Sequence, residues 1–405
     1  MLHINHRAKI LFISTYTPSK CGIASFTNDL VYSIRPYMDK NVLLEVCALD
    51  PELKSKQYDY PVSMQMNAQD RKACIRAAME INSDESIKLV CIEHEFGLYG
   101  GELGEYLIEF LEILEKPFVI RFHTVLPTPG EKMLKIVQAI GLMAEKVIVM
   151  TKHSATLLKE DYQIDINKIV HIVHGTHPHS TIDPVILKGK YELSGKKVLT
   201  TFGLLSPNKG IEKGILAMKQ ISKEFPEAVY VVLGQTHPNL LAREGEKYRE
   251  YLQEIIVENG LEANVRLINE YVPIMKLMEY LALTDIYLFT SKDPLQAVSG
   301  TFLYAMSAGC AIISNSFVLA KEMLDAETGI ILKPGNEDDL AENAIRILNN
   351  PNLQKQMSAN AFKKTRNTTW ENVGKKHANL FSKLITSDNI SPVRNQLVGN
   401  NNVYY

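Results

Sequence analysis

Tryptophan occurs once in the 405 residues, at position 370, and cysteine only five times. Cys21, Cys47, Cys74, Cys91 and Cys310 are scattered without metal-type spacing. An odd, dispersed set excludes a fully paired disulfide framework and points to a reducing, cytoplasmic setting. Charge of one sign is also lacking. A formal net charge of -2 gives no electrostatic reason to expect nucleic acid as a partner. No apolar run is long enough to span a bilayer, and Ile10–Ser14 is too short for the apolar core of a signal peptide. A peripheral membrane contact stays open. Neither a GxGxxG loop nor a DxD-type metal motif stands at a strand end. What remains is ordinary for a globular chain: 46% hydrophobic, 22% charged, and long enough for two domains with separate cores.

The stretch from Lys197 to Gln235 carries the clearest pattern. Val198–Phe202 is β-branched and aromatic and reads as a buried strand. Gly203–Lys209 holds the Gly, Ser, Pro and Asn of a tight turn. From Gly210 to Phe225 apolar residues recur at helical spacing, and Ala228–Leu233 is a second strand. This is one βαβ unit. Its helix N-terminus is a ready anion site, with Lys209 at the mouth. On position alone, a solvated surface lysine is the favoured reading of Lys209.

The same alternation begins near the N-terminus. Lys9–Ser14 reads as a strand, Thr15–Ser25 as a loop, and a helix is expected from Phe26; Val42–Leu49 is the next strand. Leu89–Ile92 runs into Glu93-His94-Glu95-Phe96-Gly97, and Pro117–Phe122 ends on His123-Thr124. Open α/β sheets bind ligands just beyond such strand ends. A hydrogen-bonded structural cluster fits the same residues. Further strands are expected at Lys146–Met150 and Ile169–Val173. The histidines that follow, through His177 and His179, lack the helix or hairpin spacing of a metal site. Ser180–Ser194 reads as a polar hinge without a strong pattern, after which the βα alternation restarts. Strands are expected at Val265–Ile268, Ile286–Phe289, Ala311–Ser314 and Gly329–Leu332. Helices are expected at Gly300–Ala308, Asp338–Leu348 and Pro351–Thr365, with a last one from Trp370.

CGIASFTNDL, FHTVLP, FGLLSPNKGIE, SGTFLYAMSAGCAIIS and TTWENVGKKH follow one another in this order across nearly the whole chain. Together they resemble the retaining, group 1 glycosyltransferases of family 4, which have the GT-B fold. HEFG and QTHP bring the chain close to one subgroup. The resemblance implies an α/β protein of two tandem Rossmann-like, doubly wound domains facing a central cleft. It implies an acceptor-side domain over 1–185, a donor-binding domain over 186–368 and a helix over 369–386 packing back on the first domain. The tail over 387–405 is expected to be mobile.

The implied reaction moves a sugar, a hexose such as mannose or glucose, from a nucleotide-diphosphate sugar to a carbohydrate or glycan acceptor. No cofactor or metal is implied, because the nucleotide sugar is a co-substrate. Gly22 and Ile23 correspond to the loop that approaches the donor phosphate, His123 to the histidine near the donor sugar, and Lys209 to the lysine on the diphosphate. Glu95, at its strand end, joins His123 and Lys209 as a catalytic candidate. The implied donor set further takes in Gly203, Tyr271, Val272, Gln296, Ser299, Gly300, Thr301 and Tyr304. The chain departs from the family at three of its positions. Leu204 stands where an arginine is usual, and Gln296 and Tyr304 stand where paired glutamates are usual. Arg121 or Lys213 would then be a substitute cation. These departures keep open a phosphorylase-like enzyme using a sugar 1-phosphate and a non-catalytic sugar-binding relative. A nucleotide-sugar isomerase fits less well.

Overall fold

Strands such as KILFIS and VYVVL are apolar on both faces, which suits a parallel sheet covered by helices on each side. Two such sheets form. The computed structural model describes residues 7–51, 56–333 and 338–386. They divide into two units, the first running to Gly175 and resuming at Trp370, the second spanning Thr176–Thr369.

In the first unit, β1 (Ala8–Ser14), β2 (Val42–Leu49), β3 (Val62–Met66), β4 (Ile87–His94), β5 (Phe118–Phe122), β6 (Lys146–Val149) and β7 (Ile169–His171) make one parallel sheet. Their order is β3-β2-β1-β4-β5-β6-β7. The helices between them are α1 (Gly22–Ile34), α2 (Arg71–Ser83), α3 (Tyr106–Ile113), α4 (Glu131–Met143) and α5 (Lys152–Glu160). In the second unit, α6 (Pro184–Lys190) precedes β8 (Lys197–Phe202), α7 (Ile211–Glu224), β9 (Ala228–Leu233), α8 (Pro238–Glu244) and α9 (Lys247–Glu258). There follow β10 (Val265–Ile268), α10 (Ile274–Ala282), β11 (Ile286–Phe289), α11 (Gly300–Ser307) and β12 (Ala311–Ser314). The unit closes with α12 (Val318–Met323), β13 (Gly329–Ile331), α13 (Asp338–Leu348) and α14 (Pro351–Thr365). Its sheet order is β10-β9-β8-β11-β12-β13. Strand order therefore reverses between β1 and β4 in one sheet and between β8 and β11 in the other, the crevices where open sheets take ligands.

The last helix, α15 (Trp370–Thr386), belongs to the first unit and lies against α1. A Cβ on Gly374 would sit 2.0 Å from the Ser33 carbonyl oxygen, so only glycine permits this approach. The contact brings Phe381 onto Phe12 of β1, with ring centroids 6.0 Å apart.

Several boundaries differ from the sequence pattern. α1 begins at Gly22, not Phe26, because Cys21 caps it: Ala24 N donates to Cys21 Sγ. β4 extends through His94, since Glu93 and His94 are buried within the sheet rather than in the loop after it. α3 starts at Tyr106, after a turn-rich stretch holding Gly100 and Gly101. β3 had no signal in its mixed sequence VSMQM; it is the edge strand and only partly covered. The division expected at 185/186 falls earlier, between Gly175 and Thr176. The expected hinge contains α6, whose Leu187 is fully buried in the second unit's core, as is Leu193 just beyond it. Apolar anchoring, not polarity, governs that segment. The expected tail, 387–405, lies outside the described residues.

Candidate functional site

The candidate residues fall into two groups, one at the carboxyl end of each sheet. In the first unit, Gly22 opens α1 and is exposed, with open space where a side chain would project; Ile23 is half-buried beside it. Ser14, the last residue of β1, is tied to α1 by a 2.7 Å hydrogen bond between its hydroxyl and that of Thr27. Glu95 is half-buried. It accepts from the Thr124 hydroxyl at 2.6 Å and from Phe96 N at 3.1 Å. His123 follows β5; its backbone N–H donates to the His94 carbonyl at 3.0 Å, and its ring lies edge-on to Phe26 with centroids 5.0 Å apart. Its Nε2 is 2.7 Å from Glu93 Oε2.

Glu93 and Arg121 face each other across the β4–β5 pair and are both fully buried. Arg121 Nη1 donates to Glu93 Oε1 at 2.9 Å, and its guanidinium lies 4.8 Å over the Phe26 ring. Burial alone would raise the Glu93 pKa. Arg121, helped by hydrogen bonds from His123 and Arg121, outweighs it and holds the carboxyl below its ordinary value. Arg121, expected as a substitute phosphate cation, is therefore committed to Glu93 in the interior. Glu93 itself was missed as a site residue. Its signal was available: an acidic residue directly after the apolar run Leu89–Ile92, and a basic residue inside the apolar strand Phe118–Phe122. His94, on the opposite face, sits in a box of Phe96, Phe122 and Tyr99. Neither ring nitrogen has a partner in the described structure, and burial pushes its pKa down to about 3.

The other histidines after β7 make ring contacts. His174 packs on Phe26 and Trp370, His177 on Tyr304, and His179 on Phe362.

In the second unit, the turn after β8 carries Gly203, Leu204 and Lys209. It is zipped to the QTHP loop after β9. Leu205 N donates to the Gln235 carbonyl at 2.8 Å, and His237 N donates to the Leu205 carbonyl at 2.9 Å. It is also strapped to the loop after β11. The Thr290 hydroxyl donates to the Lys209 carbonyl at 2.8 Å, and Lys292 N to the Asn208 carbonyl at 2.8 Å. Lys209 is not the solvated side chain that its turn position suggested. It is half-buried, its Nζ has no hydrogen-bond partner among the described residues, and desolvation lowers its pKa. Burial, and then the nearby Lys209 charge, push the His237 pKa down as well. Gly210, between Lys209 and α7, has φ +61°. A Cβ there would meet the Thr290 carbonyl oxygen at 2.4 Å. Gly210→Ala is expected to lower the melting temperature and shift Lys209 from its strap, since both the left-handed backbone and the close approach oppose it. Thermal unfolding and UDP titration of one preparation check this.

Thr301 lies beside Gly203, its methyl 3.3 Å from where a side chain would begin there. Ser299 caps α11: its hydroxyl accepts from Phe302 N at 3.3 Å and lies 3.0 Å from the Thr301 hydroxyl. The first-turn N–H groups of Gly300 and Thr301 then point out of the helix. Gln296 differs from its expected role. Its amide closes its own loop, donating to the Val298 carbonyl at 3.0 Å and accepting from the Ser291 hydroxyl at 3.3 Å. Tyr304 is packed between Phe202 and His177. Tyr271 is 40% exposed, and Val272 packs against the adjacent core.

Residues 186–364 match the family model described as glycosyl transferases group 1. The matched stretch lies within the second unit. Among curated proteins, an uncharacterized glycosyltransferase of Methanocaldococcus jannaschii is 26% identical over 56% of this chain and 59% of its own length. The 2-deoxystreptamine N-acetyl-D-glucosaminyltransferase of Niallia circulans is 23% identical over 60% of this chain and 63% of its own. The match thus spans less than two thirds of either relative. Solved structures extend the likeness to both units. HepE of Anabaena, in complex with UDP and glucose, is 17% identical with a TM-score of 0.72, over 93% of this chain and 100% of that one. Sucrose-phosphate synthase of Thermosynechococcus elongatus is 16% identical with a TM-score of 0.75, over 93% and 99%. The chain therefore has the GT-B architecture of two Rossmann-like domains. Among the described residues no helix is long and apolar enough to cross a membrane.

Proposed function

We propose that the protein is a retaining glycosyltransferase that moves a hexose from a nucleotide-diphosphate sugar to a carbohydrate or glycan acceptor. One observation carries the proposal: Lys209 is a half-buried cation without a carboxylate partner among the described residues, in a family-matching domain, at its sheet's switch point. A cation left unpaired in a desolvated turn is costly unless an anion completes it. In the transfer, the bond from the anomeric carbon to the diphosphate breaks while a bond to an acceptor oxygen forms, and the acceptor hydroxyl loses its proton. Negative charge grows on the departing diphosphate. Lys209 and the α11 first-turn N–H groups would hold that charge from fixed positions. UDP in the HepE complex makes a uridine nucleotide the first donor to try.

The same charges make a metal unnecessary in this reading. UDP binding and transfer are expected to persist in a chelator, with at most a small change on adding magnesium. Activity lost to the chelator and restored by a divalent ion sinks this part. Tyr304, standing where a ribose-binding glutamate is usual and packed between Phe202 and His177, favours a second reading, a sugar 1-phosphate donor without ribose contacts. Thermal shift with nucleoside diphosphates and with hexose 1-phosphates separates the two. Stabilisation by the sugar phosphates alone selects the second reading, and sugar binding without turnover selects a non-catalytic protein.

A further inference from the structure

The first unit contains a chain of hydrogen bonds whose direction is determined at every link. Glu93 is ionised and can only accept, so the proton between it and His123 belongs to His123 Nε2, at 2.7 Å from Oε2. The other carboxylate oxygen accepts from Arg121 Nη1 at 2.9 Å. Arg121 Nη2 reaches His377 Nε2 on α15. A guanidinium only donates, so that nitrogen is bare. The His377 proton is then on Nδ1, which donates to the Val373 carbonyl at 2.8 Å. Glu93, Arg121 and His377 are all buried. At the far end, the His123 ring is 12% exposed, and no described residue bonds its Nδ1.

From this we infer that Glu93 is a positioning residue. Backed by Arg121 and His377, it locks His123 in the tautomer that presents Nδ1 as a bare acceptor for a sugar hydroxyl. The glycine contact of Gly374 on Ser33 places α15 where His377 can close the chain. Helix α15 thereby sets the state of His123, which stands just after β5 and far from α15 in the sequence. The role of the lock in transfer rests on the proposed function; the lock itself does not.

The test uses the full chain labelled with 15N-histidine, with His123 assigned through His123→Asn. Glu93→Gln alone strands the Arg121 charge in the interior, so the informative variant is Glu93→Gln with Arg121→Met, which removes both charges together. In the unchanged protein, the neutral His123 ring is expected as one tautomer, Nε2 protonated and Nδ1 bare. In the folded double variant both tautomers should exchange. Turnover of UDP-glucose or UDP-N-acetylglucosamine should fall about 10-fold to 100-fold, the worth of one well-aligned hydrogen bond. UDP affinity should stay within about 3-fold, because neither Glu93 nor Arg121 is assigned to the phosphates. Mixed tautomers in the unchanged protein overturn the inference. So does a folded double variant that keeps both the single tautomer and full turnover. A single tautomer in a protein that transfers no sugar supports the lock and removes the enzyme reading instead.

Discussion

Lys209→Met is expected to lower turnover by about 10²–10³, the effect of removing one fixed donor from developing negative charge. UDP affinity should weaken with it, because the diphosphate already carries charge in the ground state. The folded protein should not suffer. Lys209 bonds no described residue through Nζ, desolvation lowers its pKa, and methionine keeps its apolar stem. An unchanged or slightly raised melting temperature is the expected accompaniment. The pH dependence has a definite sign. The Lys209 pKa is lowered in the free protein, and an anion bound beside it favours the charged form. UDP affinity should therefore fall as pH rises through the lowered value, before a free lysine would titrate. Calorimetry across alkaline pH, with Lys209→Met as control, reads this directly. Full turnover in a folded Lys209→Met protein means the phosphates are held elsewhere.

Acid is expected to unfold the first unit before the second. His94 is pushed down by burial to about 3, His174 by burial to about 4, and His377 well below its ordinary value, again chiefly by burial. All three belong to the first unit. Their folded-state pKa values lie below the unfolded value near 6.5, so between the two the unfolded chain holds more protons. Stability present above pH 6.5 is then lost as pH falls toward 4. Each buried histidine contributes up to about 1.4 kcal/mol per pH unit in that window. Glu93 adds to the loss at lower pH, since its folded pKa is also depressed. His237 in the second unit is lowered too, but it is only half-buried. Trp370, the single tryptophan, belongs to the first unit and packs on its Phe26 and His174. Its fluorescence should change at higher pH than the far-ultraviolet circular dichroism of the whole chain. His94→Phe, which suits the aromatic box, should move that fluorescence midpoint to lower pH. Coincident transitions unaffected by His94→Phe would refute the assignment.

Much of the second unit was legible because its signals are local. Val265–Ile268, Ile286–Phe289, Ala311–Ser314, Asp338–Leu348 and Pro351–Thr365 form with the bounds that their apolar periods and flanking turns predict. The GLLSPNKG turn likewise announces a loop between strand and helix, and Lys209 sits where that loop puts it. The first unit was harder at its functional edge. EHEFG reads as loop because charge in a strand end is unusual. Glu93 stays in the sheet only because Arg121 lies opposite in the next strand. Cys21 gave no conventional capping signal, so the start of α1 was placed too late. Ser180–Ser194 looked like a linker because its helix is short and anchored by few apolar residues, Leu187 and Leu193.

The amino-acid sequence by itself determined two βα alternations, the turn that carries Lys209, and the strand ends that carry His123 and Glu95. These follow from periodicity and turn chemistry within about one βαβ unit, a range over which local propensity and burial pattern act together. Tertiary structure alone decided the surroundings and orientation of those residues. Lys209 became half-buried where hydrogen bonds from the loops after β9 and β11 hold its turn. His123 gained Glu93 across a strand pair, and Glu93 was held ionised by an arginine whose last partner, His377, is 256 residues further along the chain. No local pattern encodes such a partner. It is set by which faces of the sheet and of α15 meet when the apolar surfaces are buried, and burial then sets the cost of every charge left between them.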